Sequence, residues 1–310
     1  MDFHTRIGWN ISLLEEVGMN SRPKILFYSE TGASLPIAWR MRRMGFEVAV
    51  FIAEKQYRKC YQGILPEVPE VAVFGLVDSA DLVVWDEDLH SINQRVVKAM
   101  DHKNQLDLNA ILGGFSTIQN QHLMDGDLGP DVACQGSLMS HNPARPCGRP
   151  NADAIYGMLS LIDGDWTELF TDGDVKFKEG CVASQRVTIG PYPYLNIEGQ
   201  QVEIESDLSK LPWFWAQDVA RVNGKWVSAG ADGLLGVAAG VGNTPNEAWG
   251  RCYQHIKSLK INASIQYRRD GLRSARREVE KRSAKIAIGA KGEKGETGAK
   301  GLKGVKVKTV

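Results

Sequence analysis

The sequence predicts an α/β chain in three parts: a parallel β-α-β unit near its start, an irregular middle, and an antiparallel unit with a capped helix toward its end. Three observations predict this. Lys24–Ile52 reads as strand, helix, strand, the unit from which parallel sheets are built. Asp101–Trp166 is crowded with Gly, Asn, Asp and Pro and carries little periodicity. From residue 167 onward, alternating apolar runs return, followed by one segment with a helix-start signature.

In the first part, KILFYSE is a short apolar run that reads as a buried strand. It stops at the small-residue turn Thr31-Gly32-Ala33-Ser34. LPIAWRMRRMGF then places Leu35, Ala38, Trp39, Met41 and Phe46 near helical spacing, and Gly45 closes the helix as its C-cap signal. VAVFI is the second strand. VAVFG and ADLVVWD are two further apolar runs separated by the turn Ser79-Ala80-Asp81. ADLVVWD reads as a parallel strand with Asp86 at its carboxyl end, the end at which open α/β sheets bind ligands. Residues 22–104 therefore read as a Rossmann-like domain, preceded by a lead-in over 1–21.

In the middle, residues 105–166, AIYGMLSLI is the one helix candidate. In the last ordered part, 167–280, CVASQRVTIG, QQVEIE and KWVSAG alternate as antiparallel strands do, and LLGVAAGVG is another strand. Thr244, Pro245 and Glu247 stand in helix-start order as N-cap, N1 and N3. The helix Asn246–Leu259 follows, with Ala248, Cys252, Ile256 and Leu259 on one face.

Lys+Arg and Asp+Glu each number 37, so the chain lacks the cationic excess of a general nucleic-acid binder. Its basic residues concentrate in Tyr267–Lys308. The 5 cysteines lack CxxC spacing and read as reduced thiols, mostly buried. No run approaches the ~20 apolar residues of a membrane helix, and Met1–Asn20 lacks the apolar core of a signal peptide. The expectation is a cytoplasmic protein without membrane or nucleic-acid partners. His90, His102, His122, His141 and His255 show no metal spacing and read as surface or capping residues. Residues 281–310 form a basic tail in which Gly289–Gly304 repeats glycine at every third position, a collagen-like period without proline. That composition reads as a disordered tail; the alternative is a trimerising stalk.

Three segments resemble the glycinamide ribonucleotide synthetases (phosphoribosylamine–glycine ligases) of the ATP-grasp superfamily. SETGASLPIAWRMRRMGFEVAVFI is similar to that family's opening β-α-β, where a glycine loop lies near the phosphoribosylamine site. MDGDLGPDVACQGSLM resembles its DGDxGPNTGGMG motif, with Asp125, Gly126, Asp127, Gly129, Pro130 and Gly136 in place. GLLGVAAGVGNTPNEAWGRCYQHIKSLKINASIQYRRDGLRSA resembles its C-terminal domain, with Thr244, Glu247, Ala248, Tyr253, Tyr267, Arg268, Arg269 and Asp270 in place.

The resemblance implies an ATP-dependent carbon–nitrogen ligase of purine biosynthesis with ATP and Mg as cofactors and glycine and phosphoribosylamine as substrates. ATP would phosphorylate the glycine carboxylate, and the amine of phosphoribosylamine would displace phosphate from the acyl phosphate. It implies substrate contacts at Gly32, Asp125, Asp127, Arg149 and Arg269. It also implies that 105–166 is a shortened ATP-grasp remnant. In that remnant the family's Glu and Asn metal ligands fall on Arg145 and Cys147, leaving Asn151 and Asp153 as the oxygen donors for magnesium. The lysines that hold the ATP phosphates and the glycine-rich flap have no counterpart here. Two alternatives stay open: a non-catalytic descendant that binds a phosphorylated small molecule, and a structural protein trimerised through its tail.

Overall fold

The computed structural model describes residues 24–85, 105–107, 116–119, 136–140, 156–157, 159–160, 178, 180–190, 192, 200–269 and 273. Its described residues mix helices with parallel and antiparallel sheet, an α/β fold.

The first sheet is parallel. β1 (Lys24–Ser29) lies between β2 (Glu47–Ile52) and β3 (Leu82–Trp85), and β4 (Gln105–Asp107) pairs with β3, giving the order β2-β1-β3-β4. β1 is apolar along its length because both of its faces are covered. Ile25 and Phe27 face a large core shared with α1 (Leu35–Arg43), while Leu26 and Tyr28 face a smaller one with Val73 and Val77 of α2 (Val73–Ser79). Fully burying side chains of this size contributes roughly 1.5–3 kcal/mol each. The apolar run VAVFG thus opens the short helix α2, with a 3₁₀ turn over Glu70–Ala72 before it.

Helix α1 ends as Gly45 signals. The Gly45 N–H donates to Arg42 O at 2.9 Å and the Phe46 N–H to Met41 O at 3.2 Å, the paired bonds of a Schellman motif, with Gly45 at φ +90°. Phe46 and Met41 are both buried, completing its hydrophobic contact.

The second sheet is antiparallel, in the order β5-β6-β7-β12-β9: Ser116–Gln119, Gly136–Ser140, Cys181–Ile189, Leu234–Gly242 and Phe214–Ala216. β13 (Ile265–Gln266) pairs with the end of β7. A third sheet runs β10-β11-β8: Val219–Val222, Lys225–Ser228 and Glu203–Ile204. The irregular middle therefore contributes three strands. β4 extends the parallel sheet, and β5 and β6 extend the antiparallel one. Among the strands predicted as antiparallel, CVASQRVTIG, KWVSAG and LLGVAAGVG form with close to their predicted lengths, while QQVEIE keeps two strand residues.

Helix α3 (Pro245–Ser258) packs on β7 and β12, burying Ala248, Trp249, Cys252 and Ile256. A Cβ on Gly240 would collide with the Ala248 carbonyl and the Cys252 backbone nitrogen, so only glycine permits this approach. The two lobes are clipped together at Tyr61. Its N–H donates to Val219 O at 2.6 Å and its hydroxyl to Ala216 O at 2.5 Å, while Arg221 N–H donates to Gln62 O at 2.9 Å. One apolar core runs across that junction. Among the described residues no helix is long and apolar enough to cross a membrane.

Candidate functional site

The strand order reverses direction at β1. The chain leaves β1 for β2 on one side and later returns to β3 on the other. In open α/β sheets such a reversal marks the place, at the carboxyl ends of the strands, where ligands are held. The loop of residues 30–34 leaves β1 at that end. Gly32 sits in it at φ +82°, and a Cβ there would lie 2.8 Å from Leu35 Cδ1.

The N–H groups of Gly32 and of the first turn of α1 are bonded locally. The Gly32 N–H donates to Ser29 Oγ at 2.7 Å and the Leu35 N–H to Gly32 O at 3.1 Å. Pro36 has no N–H, and the N–H groups of Ile37 and Ala38 both donate to Ser34 O at 3.0 Å. The first turn of α1 thus directs no N–H of residues 35–38 outward toward an anion. Pairing also continues past β1 and β2, with Ala53 N–H on Ser29 O at 2.9 Å and Glu54 N–H on Glu30 O at 3.1 Å.

The far side of the loop is braced from the second lobe. The Tyr156 hydroxyl donates to Ala33 O and accepts from Gln217 Nε2 at 2.9 Å, and the Tyr156 ring stacks on Trp215 with centroids 5.2 Å apart. Ser160, in the same short helical stretch, accepts from Trp215 Nε1 at 3.0 Å. Gln217 Oε1 is buried and has no partner among the described residues. Tyr156, Leu159 and Ser160 belong to AIYGMLSLI, and residues 156, 157 and 159 are helical as that run predicts.

A second polar group lies beside Tyr61. Buried Asp218 accepts N–H groups from Ala231 at 3.0 Å, Asp232 at 3.3 Å and Gly233 at 2.8 Å, which wraps residues 229–233 around its carboxylate. Asp232 accepts the Leu234 N–H at 2.8 Å and the Tyr57 hydroxyl at 3.4 Å. Burial raises the Asp232 carboxyl above its ordinary range, and the Asp218 charge adds to that, against the Leu234 bond. The Cys60 thiol lies 3.8 Å from Asp218 Oδ1; burial, then the Asp218 and Asp232 charges, push it upward. Cys60 is held as a neutral thiol, the opposite of an activated nucleophile. Cys252 is raised by burial alone.

Among the predicted site residues, Gly32 lies in the 30–34 loop and Arg269 just beyond β13. Arg269 is exposed, its guanidinium 5.9 Å from the Tyr267 ring. Its neighbour Arg268 is the buried one of the pair, at 2% exposure. The calls on Asp125, Asp127, Arg149, Asn151 and Asp153, and on the Gly-X-Y tail, lie outside the described residues. Among the described residues no group of three or more His, Cys, Asp or Glu side chains is placed to hold a metal ion. His255 departs from the surface or capping role: it is half-buried, stacks on Trp213 at 4.6 Å and bonds Ala239 O through Nδ1 at 2.8 Å. Sequence reasoning missed Gln217, Asp218 and Asp232. They stand in no motif, and their partners come from distant segments.

No family model matches the chain, and no curated protein sequence matches it. Solved structures overlap it loosely. The Kluyveromyces lactis urea amidolyase superposes with a TM-score of 0.44 at 13% identity, over 87% of this chain and 22% of that one. The Kluyveromyces lactis urea carboxylase gives 0.45 at 12%, over 81% and 31%. A Rhizobium etli pyruvate carboxylase gives 0.37 at 9%, over 79% and 37%. This chain spans well under half the length of each. Likenesses this loose do not place it in any of those families.

Proposed function

We propose that this chain binds a phosphorylated small molecule at the carboxyl ends of β1 and β3. The observation that carries the reading is the reversal of strand order at β1 with the 30–34 loop at that end. The Gly32 N–H and those of Leu35, Ile37 and Ala38 are bonded locally. The sequence resemblance points to Asp125 and Asp127 as side-chain contacts, with Gly32, Arg149 and Arg269 as further ones. On this reading 22–104 and 167–280 are the retained domains of a phosphoribosylamine–glycine ligase lineage, and 105–166 is its shortened ATP-grasp part.

A second reading, the ligase itself, is favoured by the extended match of MDGDLGPDVACQGSLM. It requires ATP and Mg, with Asn151 and Asp153 as metal ligands, and glycine and phosphoribosylamine as substrates. Asn151 and Asp153 lie outside the described residues. Within the described residues, the first turn of α1 turns no N–H of residues 35–38 toward a phosphate. No catalytic step is drawn through those cofactors.

Calorimetry separates the two readings. Ribose 5-phosphate is expected to give saturable heat at about 100 µM affinity or tighter, ~5.5 kcal/mol or more. Asp127→Asn should weaken it. Absence of that heat from folded protein would sink the binding reading. Saturable, magnesium-dependent heat from ATP would favour the ligase, and turnover with glycine and phosphoribosylamine would then decide it.

A further inference from the structure

The seam between α1 and the second lobe carries alternating arginine and tryptophan side chains. The Arg40 guanidinium lies 3.3 Å from the Trp215 ring centroid, Arg43 5.5 Å from Trp39, and Arg221 5.6 Å from Trp226. The Trp39 and Trp226 rings are 5.3 Å apart, joining the second and third pairs across both lobes, and Arg40 and Arg43 lie on the same helix. The rings are buried, at 0%, 8% and 7% exposure for Trp215, Trp39 and Trp226, while Arg43 and Arg221 are exposed and Arg40 is half-buried. The outer face of the strip is therefore cationic.

These cations have no carboxylate partner among the described residues. Arg40 Nη2 donates to Pro212 O at 2.5 Å and Phe214 O at 3.4 Å, and Arg221 Nε to Gly224 O at 3.3 Å; all three acceptors are neutral carbonyls. The nearby acids are engaged elsewhere. Glu203 pairs with Lys225 at 2.9 Å, and Asp207 with Lys210 at 3.2 Å and with Trp226 Nε1 at 3.2 Å. Arg40 and Arg43 stand three residues apart on one helix and so share a face. Burial pushes the Arg40 guanidinium downward, and the Arg43 charge adds to this.

We propose that Arg40, Arg43 and Arg221 form a binding strip for a small molecule bearing two or more phosphate charges. Buried or half-buried charge is stable when an opposite charge meets it. The planar guanidinium fork matches phosphate oxygens two at a time, and its weak hydration suits a partly dry seam. A single-stranded nucleic acid fits less well, since it needs open aromatic faces to stack its bases and these rings are already covered. Through Trp215 and Tyr156 the Arg40 end adjoins the brace of the 30–34 loop, whereas Arg43 and Arg221 lie over Trp39 and Trp226.

The test uses the full chain with inorganic pyrophosphate as probe, followed by calorimetry and tryptophan fluorescence. Saturable binding is expected, with a fluorescence change because Trp39 and Trp226 lie beneath the arginines. The exposed pair Arg43→Gln and Arg221→Gln should weaken it at least tenfold together while the thermal midpoint and ribose 5-phosphate binding stay as in the parent. Arg40→Lys should keep the charge but lose several-fold, because an ammonium cannot offer the fork. No saturable binding, or binding unchanged in the Arg43→Gln, Arg221→Gln variant, would overturn the proposal. Binding of poly-glutamate but not pyrophosphate would also overturn it, by assigning the strip to an acidic polypeptide.

Discussion

Helix α1 follows Ser34 with Leu35 and Pro36; helix α3 follows Thr244 with Pro245. Both starts pair a hydroxyl residue with a proline, and they behave differently. Thr244 is extended (φ −128°, ψ 156°), and its hydroxyl accepts the Glu247 N–H at 3.3 Å, while the Glu247 carboxylate accepts the Asn243 N–H at 2.9 Å. Ser34 lies in the helical region (φ −84°, ψ −7°) and makes no capping bond. Helix α3 is thus fixed by its own cap and by close approach to β12. Helix α1 is fixed at its far end by the Gly45 motif and along its side by the other lobe, where Trp39 meets Tyr61 and Trp226. The same residue types cap only where the N-cap backbone is extended. One helix seals a sheet face, and the other lines the seam between the two lobes.

Substitutions that break this contrast rank by size. Gly240→Val should cost the most, more than about 3 kcal/mol by overpacking against backbone that cannot yield, read as a fall in the urea midpoint. An unchanged midpoint would mean that α3 does not sit so close to β12. Asp218→Ala should follow at about 2–3 kcal/mol, because it strips the acceptor from several buried N–H groups in the 229–233 loop. Hydrogen exchange should then speed at Ala231 and Gly233, and unaltered protection there would contradict the loop's dependence on Asp218.

Thr244→Ala should cost about 1 kcal/mol and loosen only the first turn of α3. A loss well above that would point to more than a cap. The smallest effect expected at neutral pH comes from Asp232. Its folded value is raised, so the folded state holds that proton more tightly than the unfolded chain. The stability this confers is present at low pH and disappears as pH rises through the folded value. Asp232→Asn keeps an acceptor for Leu234 without a titrating group. Its stability relative to the parent should therefore increase between pH 4 and pH 7, and a flat difference in melts across that range would remove the assigned cause.

The β-α-β unit was legible in the sequence because its signals are local. A continuous apolar strand, a helical period and a closing glycine each act within a few residues. The same holds for Thr244, Pro245 and Glu247, which specify the α3 start unaided. Arg268 and Arg269 both fall in the motif, and only the fold shows that Arg268 is buried and Arg269 exposed, since pattern does not say which of two adjacent arginines turns inward. Run VAVFG carried a strand-like composition and became the opening of α2, where packing on β1 outweighs β-propensity.

By itself, the sequence determined the parallel unit, the antiparallel strands, the capped helix and a set of motif residues whose spacing resembles a ligase. Tertiary structure alone decided that the Gly32 N–H and those of Leu35, Ile37 and Ala38 are bonded locally, that Tyr156 and Gln217 brace the 30–34 loop, and that Asp218 gathers the 229–233 loop. It also decided that three arginines from two lobes line up over three tryptophans. The bonds from Tyr156 to Ala33 and from Arg40 to Pro212 join residues 123 and 172 positions apart, and they form only once the lobes meet.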